Sequence, residues 1–246
     1  MIRLSADLRA AFGLLTRLPL ARPGGSTDLT GGVWAFPLVG LAVNGAGGVV
    51  YWLLHRFGMP PLPDAAWSLA ATMIMTGALH EDGLADTADG FGGGPTKERK
   101  LEIMRDHHIG SYGTLALLLS VAIRVGAIAA LATPFQVFIG FCAAGPLGRA
   151  AMLLLMLVLE PARGDGLGAA MRGAGVARIA LGLAIAVVMS LALLPFWTVL
   201  AACCASASFA WLAHQQIGGY TGDVLGASEV VTECVVLSVF ASLLRA

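Results

Sequence analysis

Charge is scarce in this chain: Asp, Glu, Lys and Arg make up 12% of its 246 residues, about half the share of an ordinary soluble domain. Hydrophobic residues account for 57% and the mean hydropathy is +0.81, values that exclude a water-soluble globular domain and imply a polytopic membrane protein. The formal net charge is zero and no long basic run is present, so nucleic acid is not an expected partner. Cys142, Cys203, Cys204 and Cys234 lie in apolar stretches without metal-ligand spacing, and neither a disulfide framework nor a thiolate metal site is expected. Arg3, Asp7, Arg9 and Arg17 interrupt the first apolar segment, which excludes a signal-peptide core and predicts that this segment stays in the mature protein. Internal repeats and low-complexity tracts are also lacking.

What is there is apolar sequence in helix-length blocks. Each membrane crossing takes about 20 residues, so the length fits one all-α bundle of six or seven spans with no separate soluble domain. Candidate spans run over 33–54, 64–79, 111–132, 135–159, 177–194, 196–213 and 230–244, and Pro60, Pro61, Pro63, Pro134, Pro161 and Pro195 mark most joints. The second span, at about 16 residues, is short and is expected to tilt, to thin the bilayer or to run on into the following helix. Before the spans, Leu4, Leu8, Ala11, Phe12, Leu15 and Leu18 recur at helical spacing, the pattern of an amphipathic helix lying at the lipid interface. Lys and Arg concentrate in 1–32 (Arg3, Arg9, Arg17, Arg22), 80–110 (Lys97, Arg99, Lys100, Arg105) and 160–178 (Arg163, Arg172, Arg178), while the alternate connections hold only Arg56. A cytoplasmic N-terminus with seven passes satisfies that bias at every loop. The whole of 1–246 is then one membrane domain, with the segments 80–110 and 214–233 both on the cytoplasmic side. Lipid is an expected partner, and a homo-oligomer is neither signalled nor excluded.

Chemistry concentrates at His80-Glu81-Asp82-Gly83-Leu84-Ala85-Asp86-Thr87-Ala88-Asp89-Gly90, which holds four of the chain's 15 acids. On a helix, Asp82, Asp86 and Asp89 stand at i, i+4 and i+7, within an arc of roughly 60°. Like charges so placed repel and call for a cation. A hard divalent ion fits, because Mg²⁺ takes one or two carboxylates together with water and phosphate oxygens. Asp82 and Asp89 are about 10 Å apart along such a helix, so either two ions bind or one acid has another role. A solvated acidic helix end is the plainer reading, but Gly83, Gly90 and Gly92 to Gly94 favour close backbone approach over an exposed helix.

Downstream, Arg105-Asp106-His107-His108-Ile109-Gly110 returns toward the membrane, with cations and imidazoles suited to an anionic substrate. The histidine pair has no second pair at ligand spacing and does not make a transition-metal site. A second polar block, Gly218-Gly219-Tyr220-Thr221-Gly222-Asp223 continuing to Glu229 and Glu233, lies late in the chain. Glu233, Arg124 and Arg149 fall within apolar runs, where a charge facing lipid is costly; each is expected to point inward, to be paired or to line a site. Asn44 is expected to form an interhelical hydrogen bond.

With Leu14-Leu15-Thr16-Arg17-Leu18-Pro19, Phe36-Pro37-Leu38-Val39-Gly40 and Leu101-Glu102-Ile103-Met104, these blocks resemble the cobalamin synthase (adenosylcobinamide-GDP ribazoletransferase) family over nearly the whole chain. The resemblance implies an inner-membrane, Mg²⁺-dependent phosphoryl transferase. It would join α-ribazole, or its 5′-phosphate, to adenosylcobinamide-GDP and release GMP, with its site facing the cytoplasm. One departure is visible: the family usually has Lys-Asp-Ser-Arg-Ile-Gly at positions 105–110, so the cation at 108 depends on protonation of His108, and Arg105 is placed to carry that load. On this resemblance Asp82 and Asp86 hold Mg²⁺, with Asp89, Asp223, Glu229 and Glu233 as further metal-facing acids. His80 or Asp89 accepts the hydroxyl proton, and Asp106 is a further acid–base candidate. Arg105, His108, Arg149, Thr221 and Gly222 contact the substrate. Two other readings stand beside it: a CDP-alcohol phosphotransferase, since Asp86-Thr87-Ala88-Asp89-Gly90 matches the start of that family's pattern while Gly93 and Gly94 break it, and a cation or corrinoid transporter.

Overall fold

The computed structural model describes residues 3–20, 29–106, 108–131 and 133–245; Arg22 and His107 therefore lie outside the described residues. Helix α1 (Leu4–Leu15) is followed by a 3₁₀ turn (Leu29–Ala35), then α2 (Phe36–Arg56), α3 (Pro61–Thr76), α4 (Leu79–Gly93) and α5 (Lys97–Ile103). The chain continues through α6 (Ser111–Ala130), α7 (Pro134–Val158), α8 (Gly166–Ala170), α9 (Val176–Leu193), α10 (Phe196–Ile217) and α11 (Gly222–Leu243). Among the described residues no extended strand occurs, only a parallel bridge between Pro161 and Tyr220. The fold is an all-α polytopic membrane bundle.

Among the described residues six helical segments are long and apolar enough to cross a membrane, those ending in α2, α6, α7, α9, α10 and α11. The expected span at 64–79 appears as α3, a helix of 16 residues that falls short of that length. It does not run on into the acidic helix. Gly77 and Ala78 both adopt left-handed backbone, which closes α3 and restarts the chain as α4 in a new direction. The last span also departs from expectation. It begins at Gly222 rather than near 230, so Glu229 lies inside the bundle instead of in a connection, one turn from Glu233, which points inward as expected. Cationic partners there allow a helix to carry two glutamates where hydropathy alone would end it.

Helices α7 and α11 form the centre, with much of each buried, whereas α6 and α9 leave most of their length exposed. Helix α2 packs on α7 at a crossing of two glycines: a Cβ on Gly40 would sit 2.3 Å from the Gly145 carbonyl oxygen, and one on Gly145 equally close to that of Gly40. Small residues at such a crossing let backbones meet and raise the number of van der Waals contacts, which drive helix association in lipid. Helix α1 covers the 3₁₀ turn and buries Asp7, Ala10, Ala11 and Leu15. Asp7 accepts hydrogen bonds from the Arg3 backbone N–H at 3.1 Å and from Trp34 Nε1 at 3.0 Å, so the buried face is set by this polar pin as well as by leucines; Leu4 is left exposed.

The polar connections gather at one end. The Arg17 N–H donates to the Met75 carbonyl, the 160–162 segment pairs with Tyr220, Lys100 Nζ bonds Gln216, and Arg105 reaches Asp165. At the other end Tyr51, Leu131, Leu194 and Phe240 share an apolar cluster. The segments 80–110, 160–175 and 218–223 thus meet at one pole of the bundle.

Candidate active site

Two helices set the geometry. Residues 79–93 have few strong helix formers and many glycines, yet they form a helix because α4 is packed on α11 and α6; tertiary packing outweighs weak propensity. Gly83 lies against the start of α11, where a Cβ would sit 2.7 Å from the Asp223 carbonyl oxygen. That contact brings the two polar blocks of the sequence together. Thr221 caps α11, its hydroxyl accepting from the Val224 N–H at 3.2 Å while donating to Asp223 Oδ2 at 3.1 Å. A capping hydroxyl contributes about 1 kcal/mol.

The three aspartates of α4 do not act as one face. Asp82 is exposed and Asp86 half-buried, but Asp89 is buried. Both carboxylate oxygens of Asp89 accept backbone N–H groups, Gly110 at 2.7 Å and Gly113 at 2.9 Å. A Cβ on either glycine would clash with that carboxylate, so Asp89 ties the entry of α6 to α4 and is committed to that task. Asp86 is the electrostatic outlier of the mouth. Burial, then the carboxylates of Asp82, Asp223 and Asp89, push its pKa up to about 7, against the opposing pull of Arg163.

Arg163 is the residue that sequence reasoning missed, having counted only as a loop charge. Its Nη2 donates to Asp223 Oδ2 at 3.3 Å, its Nε lies 3.7 Å from Asp165, and its Nη1 is buried without a partner among the described residues. A cavity of about 200 Å³ opens here, lined by His80, Asp82, Arg163, Gly222 and Asp223 and walled by apolar residues that include Leu15, Phe36 and Met171. His80 is 2% exposed and neither ring nitrogen has a partner among the described residues. Burial, with Arg149 and Arg124 nearby, lowers its pKa well below the ordinary histidine range, so the imidazole is neutral and keeps a lone pair.

The remaining acids and arginines form a separate, closed cluster behind His80. Arg124 and Arg149 are 1% and 2% exposed. Arg149 Nη1 bonds Glu229 and lies 3.0 Å from Glu233 Oε1, while Arg124 Nη1 lies 3.0 Å from Glu81 and 3.4 Å from Glu233 Oε2. Asn44 Nδ2 adds a bond of 2.7 Å to Glu233, the interhelical bond expected of it. Two guanidiniums therefore face three carboxylates around a void of about 10 Å³, room for one water at most. The structure does not bring Glu229 or Glu233 to Asp82, nor Arg149 to the open mouth, because these side chains pair with one another in a medium where an unpaired charge is costly. Arg105, expected on substrate phosphate, donates from Nη2 to both carboxylate oxygens of Asp165, at 2.7 and 2.8 Å. His108 is exposed and paired with Asp106 at 2.7 Å.

The mouth fits a hard cation. Asp82, Asp86 and Asp223 offer oxygen donors and lie within one another's fields. Among the described residues no group of three or more His, Cys, Asp or Glu side chains is placed to hold a metal ion by itself. An open set of carboxylates is the environment that Mg²⁺ accepts when water and phosphate oxygens complete its shell.

Comparison with known proteins agrees in one direction. The family model described as cobalamin-5-phosphate synthase matches residues 7–241. The chain is 45% identical over 243 residues to an adenosylcobinamide-GDP ribazoletransferase of Bradyrhizobium diazoefficiens, covering 96% of this chain and 94% of that one. Similar relatives of the same name occur in Mesorhizobium japonicum, at 42% identity over 95% of this chain and 92% of that one, and in Azorhizobium caulinodans, at 40% over 94% and 93%. No solved structure matches the chain.

Proposed function

The chain belongs to the cobalamin-5-phosphate synthase family and is a transferase; from that premise we propose that it joins α-ribazole, or its 5′-phosphate, to adenosylcobinamide-GDP and releases GMP, at a site facing the cytoplasm from the inner membrane. The observation that carries this reading is the mouth itself. Asp82 and Asp223 line, with Arg163 and His80, a cavity walled otherwise mostly by apolar residues, and Asp86 lies within the field of both carboxylates.

The reaction is a phosphoryl transfer. A ribose hydroxyl oxygen forms a bond to the phosphorus carried by the cobinamide, the bond from that phosphorus to the GMP oxygen breaks, and the hydroxyl proton passes to a base. Asp82 and Asp86, with Asp223 beside them, would hold Mg²⁺, which supplies charge neutralisation at the diphosphate when bound. Arg163 donates to a phosphate oxygen through its unpartnered Nη1 and so stabilises charge that develops on the leaving group. His80, neutral and lining the cavity, is placed to accept the proton. Asp89 holds the start of α6 in position, and its role is positioning. Apolar walls from Leu15, Phe36 and Met171 exclude water that would compete with the ribose hydroxyl.

The test incubates the purified protein in lipid with both substrates, with and without Mg²⁺, and follows GMP and the cobalamin product by mass spectrometry. Stoichiometric appearance of both, dependent on Mg²⁺, is expected. Release of CMP from a CDP-lipid, or corrinoid uptake without product, would replace the reading. A cysteine at Thr96, labelled in intact cells and in inverted vesicles, checks the orientation, with labelling expected only from the cytoplasmic face.

A further inference from the structure

Behind the loop that carries Asp223 lies a second cavity, of about 270 Å³, lined by Glu160, Arg172, Tyr220 and a set of apolar residues that includes Met156, Met171 and Ile179. Met171 lines both this cavity and the mouth, so one side chain separates them. The loop is built to hold this arrangement. The Tyr220 N–H donates to the Glu160 carbonyl at 3.0 Å, and the Ala162 N–H donates to the Tyr220 carbonyl at 2.8 Å. A Cβ on Gly219 would lie 2.2 Å from the Glu160 carbonyl oxygen, which explains a glycine there. Tyr220 therefore belongs to the second cavity, while Asp223, three residues on, belongs to the mouth.

Glu160 and Arg172 carry opposite charges into one cavity, yet they form no ion pair with each other. Burial pushes the Tyr220 phenol up, Glu160 adding to the rise and Arg172 opposing it, so the phenol feels both charges. A carboxylate and a guanidinium that line one cavity without pairing to each other are matched by a flat ring with two adjacent donors on one edge and acceptors on the next. Guanine has that pattern. Its N1–H and N2 amino group suit a carboxylate, and its O6 and N7 are the acceptors that arginine takes in two-pronged fashion. Adenine would set an unprotonated ring nitrogen against Glu160.

Resting on the transfer reaction proposed above, we propose that this second cavity is the guanine subsite, with Glu160 and Arg172 as its specificity-determining residues, so that the diphosphate runs past Met171 to Arg163 and the acidic mouth. The two cavities divide the nucleotide: the base is read in one, and the phosphate is attacked in the other.

The test measures equilibrium binding of GMP, IMP and AMP to the full-length protein in lipid nanodiscs, for wild type, Glu160→Gln and Arg172→Ala. GMP is expected to bind more tightly than IMP, which lacks the N2 amino group, and than AMP. Glu160→Gln should weaken GMP by about tenfold to a hundredfold, the usual worth of a hydrogen bond to a charged group, and bring it level with IMP. Arg172→Ala should weaken GMP and IMP alike, since both keep O6. Glu160 is exposed, so its variant is expected to fold, and an unchanged thermal midpoint checks this. Equal affinity for the three nucleotides, or GMP binding indifferent to Glu160, overturns the subsite. Turnover measured in the same preparations separates the two ideas. Turnover with Glu160-independent GMP binding defeats only the subsite, whereas Glu160-dependent GMP binding without turnover defeats only the transferase reading.

Discussion

Glu81 and Asp82 are neighbours on α4, about 100° apart around its axis, and they enter two clusters with opposite properties. Glu81 joins Arg124, Arg149, Glu229, Glu233 and Asn44 in a sealed network in which each charge has a partner. Asp82 joins Asp86 and Asp223 at an open mouth where like charges crowd and one arginine answers them. Identical side-chain chemistry thus holds helices together in one place and waits for a ligand in the other. Opposite charge at contact distance in a dry interior is used up locally, whereas uncompensated charge beside a cavity has capacity to spare.

The largest effect that would break this contrast is in the sealed cluster. Arg149→Leu leaves Glu229 and Glu233 without their shared cation and is expected to destabilise the fold by about 3–5 kcal/mol, read as a lower thermal midpoint and less inserted protein. A variant as stable as wild type that had lost turnover would instead move Arg149 into the substrate site. Next, Asp82→Asn is expected not to lower the thermal midpoint, since the side chain is exposed and its charge only adds to the crowding at Asp86, and to reduce turnover by roughly 10²–10³-fold, the scale of losing one electrostatic stabiliser. Wild-type turnover at limiting Mg²⁺ would remove Asp82 from the metal role.

Asp86 sharpens the contrast through pH. In the metal-free protein it ionises only near 7, whereas an unfolded aspartate ionises near ~3.9. The folded state therefore holds an extra proton between those values, and the stability from this group is complete below the unfolded pKa and lost as pH rises through about 7. Asp86→Asn is expected to unfold at a higher temperature than wild type at pH 8 without Mg²⁺, and the gap should close as the pH falls toward 4. Added Mg²⁺ should stabilise wild type more than the variant. A gap that ignores pH would show that the crowding of Asp82, Asp86 and Asp223 has no energetic consequence. The smallest effect belongs to Arg105, whose pairing with Asp165 is exposed. Arg105→Ala is expected to cost about 1 kcal/mol of stability or less, and a larger loss would mean that the 105–165 contact clamps the mouth.

Much of the site could be found along the chain, because acids, glycines and cations in a hydrophobic sequence have few reasons to cluster. The inward direction of Glu233, Arg124 and Arg149 and the hydrogen bond of Asn44 were also legible, since lipid gives such groups nowhere else to go. What spacing could not show was the use of each acid. Periodicity gives the angle of Asp89 around α4, but not that Gly110 and Gly113 present their N–H groups at that angle. It likewise gives no sign that Arg163, 80 positions from Gly83, turns toward Asp223.

Composition and hydrophobic runs by themselves determined a helical membrane bundle and the two polar blocks, because burial in lipid permits few backbone arrangements and few positions for charge. Only the tertiary structure decided which carboxylates are neutralised inside and which stand open at the mouth. That choice depends on distances between helices far apart in sequence, and Coulomb energies change steeply with those distances and with the dielectric around them.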